Sequence, residues 1–337
     1  MDDVLKISVI IPTKERPKDL TELLLTILEQ NYRPFEIIIV DDSLIGSAKK
    51  TVDIMNSEFE KIGCPLKYVS GGGDGLTASR NLGVTISNGD VVLFLDDDTL
   101  LDQDVLIKLI RFLKNNPGAK GVQPLILPSK LHVVNKKNNN VSENLENAIY
   151  KVLMLSYCEE NKLNVRRSGF SVFPSIQTKP ITAQRLSGCC CYRRELFNEF
   201  LFDTNLKKWG FMEDLDFSNR VFRKYPGSLY AIPNTIIFHK ASKEARLPTK
   251  TATFMIIIYW VYIFFKNMFQ GSILNLIAFL WALAGILVGK IGGLIFKRKS
   301  LDEWWGLIYL LEAYATTIKH FKDILMGNLD FFNNELK

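Results

Sequence analysis

The chain has 337 residues, a mass of 38.5 kDa and 47% hydrophobic residues, which allows one large packed domain plus an appendage and excludes a disordered or fibrous protein. Its formal net charge of +6 is moderate. The basic residues are dispersed apart from Lys297-Arg298-Lys299, with no basic stripe interleaved with aromatics; this argues against nucleic acid and for an anionic membrane surface or a phosphorylated substrate.

The cysteines are Cys64, Cys158, Cys189, Cys190 and Cys191, an odd number with no CxxC pair, so neither a disulfide framework nor a zinc site is expected. Met1-Asp2-Asp3-Val4-Leu5-Lys6 is acidic and leads straight into a strand, unlike a signal peptide. The expected compartment is a reducing cytosol.

Taken in order, Ile7 to Pro12 predicts a strand, and Leu20, Leu23, Leu24, Ile27 and Leu28 recur at helical spacing. Glu36 to Val40 predicts a second strand, closed by Asp41-Asp42-Ser43. A helix from Ala48 to Phe59, a strand from Leu66 to Ser70, a glycine-rich loop and a helix from Leu76 to Ser87 follow. Asp90 to Asp98 (DVVLFLDDD) then reads as a strand buried on both faces with three carboxylates at its end. Four alternations of strand and helix mark an α/β fold with a mainly parallel sheet.

In such sheets ligands collect beyond the carboxyl ends of the strands. Thr13, Glu15 and Arg16, Asp41 and Asp42, and Asp96 to Asp98 all fall there. If the backbone stays extended, Asp96 and Asp98 face one way and Asp97 the other. Two like-facing acids suit a hard divalent cation that also binds phosphates. The competing reading is an acidic turn in which Asp98 or Thr99 caps a helix beginning near Asp102. Neither GxGxxG nor GxxxxGK[ST] occurs, so the phosphates of a nucleotide would need cations or a metal in place of a glycine cradle.

Further on, Gly121 to Leu127 predicts a strand, Lys136 to Asn144 a polar mobile loop, and Ile149 to Tyr157 a helix. Ser187 to Tyr192 reads as a strand of small residues, with Arg193 and Arg194 opening a short helix. Glu213, Asp214 and Asp216 open another helix, where the macrodipole alone favours acids. Ser228 to Phe238 gives two short strands around Pro233, and His239 follows them; one histidine there is by itself more often structural than a ligand.

Together, Ser8 to Asp42 (SVIIPTKERPKDL…EIIIVDDS), Ala78 to Gly83 (ASRNLG), the aspartate triplet, Ser187-Gly188 with Arg193-Arg194, Glu213-Asp214 and His239 resemble family 2 of the inverting glycosyltransferases. The motifs come in the family's order between residues 6 and 240. The resemblance implies a GT-A fold, here a nucleotide-sugar-dependent domain over residues 1–245 followed by a hydrophobic helical region over 246–337. It implies that Thr13, Glu15, Arg16, Asp41 and Asp42 border the nucleobase and ribose, with Arg80, Asp96 and Asp97 also on the nucleotide sugar. Asp96 and Asp98 would be the DxD pair and His239 a further ligand of Mn²⁺ or Mg²⁺. Asp214 matches the general base, and Glu213 would place that base or the acceptor.

The implied reaction moves a hexosyl or deoxyhexosyl unit from a nucleoside-diphosphate sugar to the hydroxyl of a glycan or lipid-linked acceptor, with inversion. Processive relatives carry a QxxRW motif, and none of Gln123, Gln177, Gln184 or Gln270 begins one, so a single transfer is expected. A nucleotidyltransferase would need a glycine-rich basic loop after the first strand, for which Pro12 to Arg16 is a poor substitute. A nucleotide-sugar-binding or scaffold protein would have no use for a base.

Phe254 to Phe265 (FMIIIYWVYIFF) is apolar all round but covers only ~18 Å as a helix, short of the ~30 Å of a bilayer core. Ser272 to Gly289 is uncharged and reaches roughly 27 Å, with Lys290 and Lys297 to Lys299 on what would be the cytoplasmic side. Trp304, Leu307, Leu311, Tyr314, Ile318, Phe321 and Leu325 repeat at helical spacing. Two membrane arrangements are open: an inserted hairpin over Phe254 to Phe296, or helices in the interface with Trp260, Trp281, Trp304 and Trp305 at headgroup level. The alternative to both is a packed helical subdomain or a dimer interface, so an oligomer is allowed. The expected location is the cytoplasmic face of the cell membrane.

Overall fold

A computed structural model of the chain describes residues 5–128, 141–242, 244, 247–296 and 301–336. Its contacts divide the chain into two units, Met1–Asn138 with Gln177–Ala245, and Asn139–Ile176 with Arg246–Lys337. The segment Asn139–Ile176, which the sequence assigns to the first domain, thus falls with the C-terminal helices.

In the first unit the apolar runs form the expected alternation: β1 (Ile7–Thr13), α1 (Pro17–Leu28), β2 (Glu36–Asp41), α2 (Lys49–Lys61), β3 (Leu66–Ser70), α3 (Leu76–Ile86) and β4 (Val91–Phe94). Next come β5 (Thr99–Leu101), α4 (Val105–Asn115) and β6 (Gly121–Pro128). The chain passes into the second unit with α5 (Val141–Val152), β7 (Tyr157–Glu159), β8 (Asn164–Val165) and β9 (Ser171–Pro174). It returns with β10 (Ile181–Thr182), β11 (Cys191–Arg193), a 3-10 turn over Arg194–Asn198, α6 (Glu213–Lys224) and β12 (Leu229–His239).

These strands form a nine-stranded sheet ordered β10-β12-β6-β11-β4-β1-β2-β3, with β5 paired to β12. β3, β2, β1 and β4 run parallel, and β11 lies antiparallel between β4 and β6. Both faces are covered, which is why the strands read as unbroken apolar runs. Val9 and Ile11 face a cluster built with Leu20, Leu24, Phe59 and Leu109. Ile10 faces the other way, toward α3, where a Cβ on Gly83 would stand 2.4 Å from the Ile10 side chain. From β1 the chain builds outward through β2 and β3 on one side, then crosses back to place β4 on the other. That reversal opens a crevice beyond the carboxyl ends of β1 and β4.

Several expectations need correction. The strand carrying the aspartates stops at Phe94, and Asp97 and Asp98 form a turn into β5. Neither Asp98 nor Thr99 caps a helix: Thr99 pairs with His239 in the sheet, and the next helix starts at Val105 behind Asp104. The helix expected over Ile149 to Tyr157 lies earlier, at Val141–Val152, because Tyr157 pairs with Val172 in a small sheet. The polar loop expected over Lys136 to Asn144 lies outside the described residues as far as 140, and Val141 is already helical. The strand after Ser187 begins only at Cys191. In place of two short strands followed by His239 there is one strand, Leu229–His239, with a register shift between Ile232 and Ile236 around Pro233.

The second unit continues with α7 (Thr249–Ile263), prolonged by a π-helical turn over Phe264–Phe269, then α8 (Ile273–Phe296), α9 (Leu301–Lys319), α10 (Phe321–Leu325) and α11 (Asp330–Asn333). Thr249–Phe269 and Ile273–Gly292 are both long and apolar enough to cross a membrane. The first is 21 residues, about 31 Å, and not the 18 Å expected, because the more polar Thr249 to Thr253 and Lys266 to Phe269 prolong the helix beyond the apolar run.

Candidate active site

The turn after β4 splits the three aspartates between two tasks. Asp97 points back across the switch point and accepts hydrogen bonds from Thr13 Oγ1 at 2.8 Å and Arg16 Nη1 at 3.0 Å. Burial pushes its carboxyl up to about 6, although Arg16 and Thr13 pull it down. Asp96 and Asp98 each turn one oxygen toward His239. Asp98 Oδ1 lies 3.3 Å and Asp96 Oδ2 3.9 Å from His239 Nε2. The separation expected of an extended backbone is only partial, because Asp98 Oδ2 also lies 3.7 Å from Arg16 Nη1, the cation that Asp97 binds.

β12 carries His239 to this place by pairing with Thr99. The backbone beyond it holds Asp98, with Lys240 N donating to the Asp98 carbonyl and Ser242 N to Asp98 Oδ2, both at 2.9 Å. That leaves Oδ1 turned toward the imidazole. His239 Nδ1 accepts from Ala241 N at 3.1 Å. Neutral imidazole held this way keeps its proton on Nε2, so ligation through Nε2 requires the Ala241 amide to release the ring.

Among the described residues no group of three or more His, Cys, Asp or Glu side chains is closed into a metal shell. The two carboxylates suit a divalent cation of the Mg²⁺ or Mn²⁺ type in donor chemistry, since both are oxygen donors brought to one point. The imidazole is the conditional member of the set.

The opposite wall comes from α6. Its first turn holds Glu213, Asp214 and Asp216, behind Met212 in the left-handed region at φ 66°. Asp216 pairs with Arg220 one turn on, at 2.8 Å, which is a helix-stabilising role. Asp214 pairs with Arg185 Nη2 through Oδ2, and its Oδ1 accepts from Leu215 N at 2.6 Å. Glu213 accepts from Arg80 Nη1 at 2.5 Å.

Arg80 joins the two walls. Its side chain is 1% exposed, its guanidinium lies over the edge-to-face pair of Phe94 and Phe202, and it donates through Nη2 to Asp96 Oδ1 at 3.2 Å. Nη1 meanwhile reaches Glu213, so one planar cation spans the DxD side and the acid pair of α6. Burial, with Asp214 and Asp96 adding to it, pushes the Glu213 carboxyl up to about 8 against the pull of Arg80. Gly188 makes room for this bridge: a Cβ there would stand 2.8 Å from Arg80 Nη2 and 3.4 Å from Asp96.

Other residues expected on the nucleotide divide in two. Arg16 is anchored by the Glu244 carbonyl, which accepts from Nη2 at 2.9 Å and from Nε at 3.1 Å. Glu15 is exposed, with its backbone in the left-handed region at φ 56°, and its N–H donates to Ser47 Oγ. Asp42 accepts from Gly75 N at 3.0 Å and lies 3.4 Å from Lys14 Nζ. Asp41 is fully buried, and its oxygens accept from Ser43 N, Ala48 N and Tyr68 OH; it holds the β2–α2 connection together and does not line the crevice.

Two participants escaped the sequence reading. Arg185 is one, although a cation just before the small-residue stretch Ser187 to Cys191 signals a buried partner. The other is Cys189, whose Sγ accepts the Asp96 N–H at 3.4 Å and backs the DxD turn.

A mainly parallel sheet with an acid-lined crevice at its switch point and an antiparallel strand inserted beside it is the architecture of the GT-A transferases. A model of Glycosyl transferase family 2 matches residues 8–201, and the chain belongs to that family. Similar proteins include an uncharacterized glycosyltransferase of Rickettsia conorii, 28% identical over 60% of this chain and 28% of its own length. A glucosyl-dolichyl phosphate glucuronosyltransferase of Haloferax volcanii is 29% identical over 37% of this chain and 39% of its own. The amylovoran biosynthesis glycosyltransferase AmsB of Erwinia amylovora is 27% identical over 53% and 55%. The matches thus span from about a quarter to just over half of these relatives. The crystal structure of residues 1–349 of Staphylococcus aureus TarS has the same fold, with a TM-score of 0.53 at 20% identity over 95% of this chain and 83% of that one. GalNAc-T7, solved with UDP, GalNAc and Mn²⁺, gives 0.55 at 17% over 81% and 52%.

Proposed function

We propose that this protein is a single-transfer, inverting glycosyltransferase. It moves one hexosyl or deoxyhexosyl unit from a nucleoside-diphosphate sugar to a hydroxyl of a lipid-linked or cell-surface glycan precursor, at the cytoplasmic face of a membrane. The observation that carries this is the Arg80 bridge, through which Asp96 on the DxD turn and Glu213 beside Asp214 share one cation.

Thr13, Glu15, Arg16 and Asp42 receive the nucleoside, and Asp97 acts by holding Thr13 and Arg16 in place. Asp98 and Asp96, with His239 once its ring is released from Ala241, hold Mn²⁺ or Mg²⁺. When bound, the cation neutralises charge developing on the departing diphosphate. Asp214 takes the proton of the acceptor hydroxyl as that oxygen bonds to the anomeric carbon and the bond from that carbon to the diphosphate oxygen breaks. Attack from the face opposite the leaving group inverts the configuration. Glu213, fixed on Arg80, sets where Asp214 stands. Membrane association is supported by the two long apolar helices, and a lipid-linked acceptor by the name of the Haloferax relative.

A panel of nucleotide sugars with Mn²⁺, assayed by released nucleoside diphosphate in the presence of lipid-linked acceptors, tests the reading. One donor should be consumed only when an acceptor is present, giving a product of inverted configuration. Binding of a donor without turnover under every acceptor would replace the enzyme reading with that of a nucleotide-sugar-binding protein.

A further inference from the structure

We propose that the second unit is a one-leaflet membrane anchor in which α7 is the internal helix and the outward faces of α8 and α9 lie in the interface of an anionic bilayer. This rests on the membrane-associated reading above and decides between its two arrangements.

A helix that is apolar all round is either a span or the core of a packed unit. α7 is enclosed by protein: Met255 and Ile257 to Phe264 are all buried. Trp260 donates its indole N–H to the Ser168 carbonyl at 3.0 Å, its ring lies 4.5 Å from that of Phe170, and Phe264 stacks on Phe279 at 4.0 Å. The middle of α7 is met by the non-helical turn between α10 and α11 and by α11 itself. Gly327 lies beside Tyr262, and Tyr259 OH donates to Asn333 Oδ1 at 2.7 Å. Hydrocarbon does not admit irregular, lipid-exposed backbone of this kind, nor Lys322, Asp323 and Asp330 on the same segment. α7 therefore does not cross a bilayer, despite its length.

α8 has the reverse character. Ala278, Phe279, Ala282 and Gly285 face inward, while Ile273, Ile277, Leu280, Val288 and Ile291 form an outward stripe between 42% and 72% exposed. No polar residue interrupts that stripe along about 27 Å of helix. On α9, Leu310, Ala313 and Thr317 are buried, and the opposite stripe of Trp304, Ile308, Leu311 and Ile318 is exposed. The stripe legible in the sequence thus faces outward and the helix packs through its other side. Exposed apolar faces this long, with half-exposed tryptophans at positions 281, 304 and 305, fit the headgroup and upper acyl region. Charge agrees: residues 246–337 hold ten basic against six acidic side chains, including Lys290 and Lys297 to Lys299.

The test uses the full chain with vesicles of phosphatidylcholine containing phosphatidylglycerol. Ile277→Asp combined with Val288→Asp should lower vesicle binding at least tenfold and leave nucleotide binding and the thermal melt unchanged, since both side chains are exposed. Ser272→Cys, in a Cys158→Ser background, marks the connection between α7 and α8. A membrane-impermeant maleimide should label it from the side to which the protein was added. Labelling only from the far side would overturn the one-leaflet anchor and leave the membrane reading standing. Absence of vesicle binding by the unaltered chain would defeat both. A lipid-free dimer that Ile277→Asp converts to monomer, with vesicle binding unchanged, would assign the face to a second copy and overturn the proposal.

Discussion

Arg185 and Asp214 form an ion pair across the candidate active site, with the arginine side chain 10% and the aspartate 19% exposed. Each carboxylate oxygen keeps a free lone pair, so the pair orients Asp214 without consuming its capacity to accept a proton. Arg185→Met should leave donor affinity within about twofold and lower kcat by about 10²-fold, the usual consequence of a catalytic group displaced by an ångström. Arg185→Lys should recover part of the loss. Steady-state kinetics beside calorimetry of the nucleotide check this; an unchanged kcat in the methionine variant would show that Arg185 serves the fold alone.

Asp214 itself faces a sharper test. Asp214→Asn keeps the shape and the Leu215 contact but removes the proton acceptor. Transfer should fall roughly 10²–10⁴-fold with donor binding retained. Near wild-type turnover would remove the base from Asp214.

Arg80 is fully enclosed, and its loss leaves Glu213 and Asp96 facing each other without a cation. Arg80→Met should destabilise the protein by about 3–5 kcal/mol, as expected for a buried ion pair deprived of one partner. Urea unfolding at neutral pH gives the number. A cost below about 1 kcal/mol would mean that Glu213, whose carboxyl burial pushes up to about 8, already holds its proton in the intact protein and that Arg80 balances the charge of Asp96 alone.

Asp97 makes stability depend on pH. Its folded carboxyl titrates near 6 against an ordinary value of 3.8, so the folded state binds the proton more tightly than the unfolded chain. The stabilisation is fully present below 3.8 and is lost as pH rises through 6, roughly 3 kcal/mol in all. Asp97→Asn mimics the protonated form at every pH. In metal-free buffer its unfolding free energy relative to wild type should therefore rise between pH 4 and 6, and a flat difference would show that Arg16 keeps Asp97 ionised throughout.

The first half of the fold is legible because β1, β2 and β4 are buried on both faces and need unbroken apolar residues, a pattern few other structures impose. The meeting of Asp98 and His239 is legible through motif order, since both follow strand ends of one sheet, whereas Asp214 stands on α6, which Arg80 ties to Asp96 through Glu213. What stays hidden depends on partners distant in sequence. Asp41 looks the same as Asp42 until Ala48 and Tyr68 claim its oxygens. Arg185 looks like a surface cation until α6 brings Asp214 to it. The stripe of Trp304, Leu311 and Ile318 has the spacing of a packed face, and spacing cannot say which side of a helix is covered when both are apolar.

The cation side yields the last prediction. Asp98 is held by Ser242 and Lys240 with one oxygen turned to His239, so its position does not depend on a bound cation. Asp98→Ala should abolish the part of nucleotide affinity that Mn²⁺ adds, leaving the metal-free affinity unchanged. His239 is held by Ala241 in the orientation that keeps a proton on Nε2, so its contribution must first overcome that hydrogen bond. His239→Ala should accordingly weaken the Mn²⁺-dependent affinity by roughly tenfold, less than the loss at Asp98. Calorimetric titrations with nucleoside diphosphate, in Mn²⁺ and in chelator, separate the two effects. Equal losses in both variants would mean that the imidazole is released at no cost and ligates as fully as the carboxylate; unchanged affinity in Asp98→Ala with Mn²⁺ present would remove the metal from this turn.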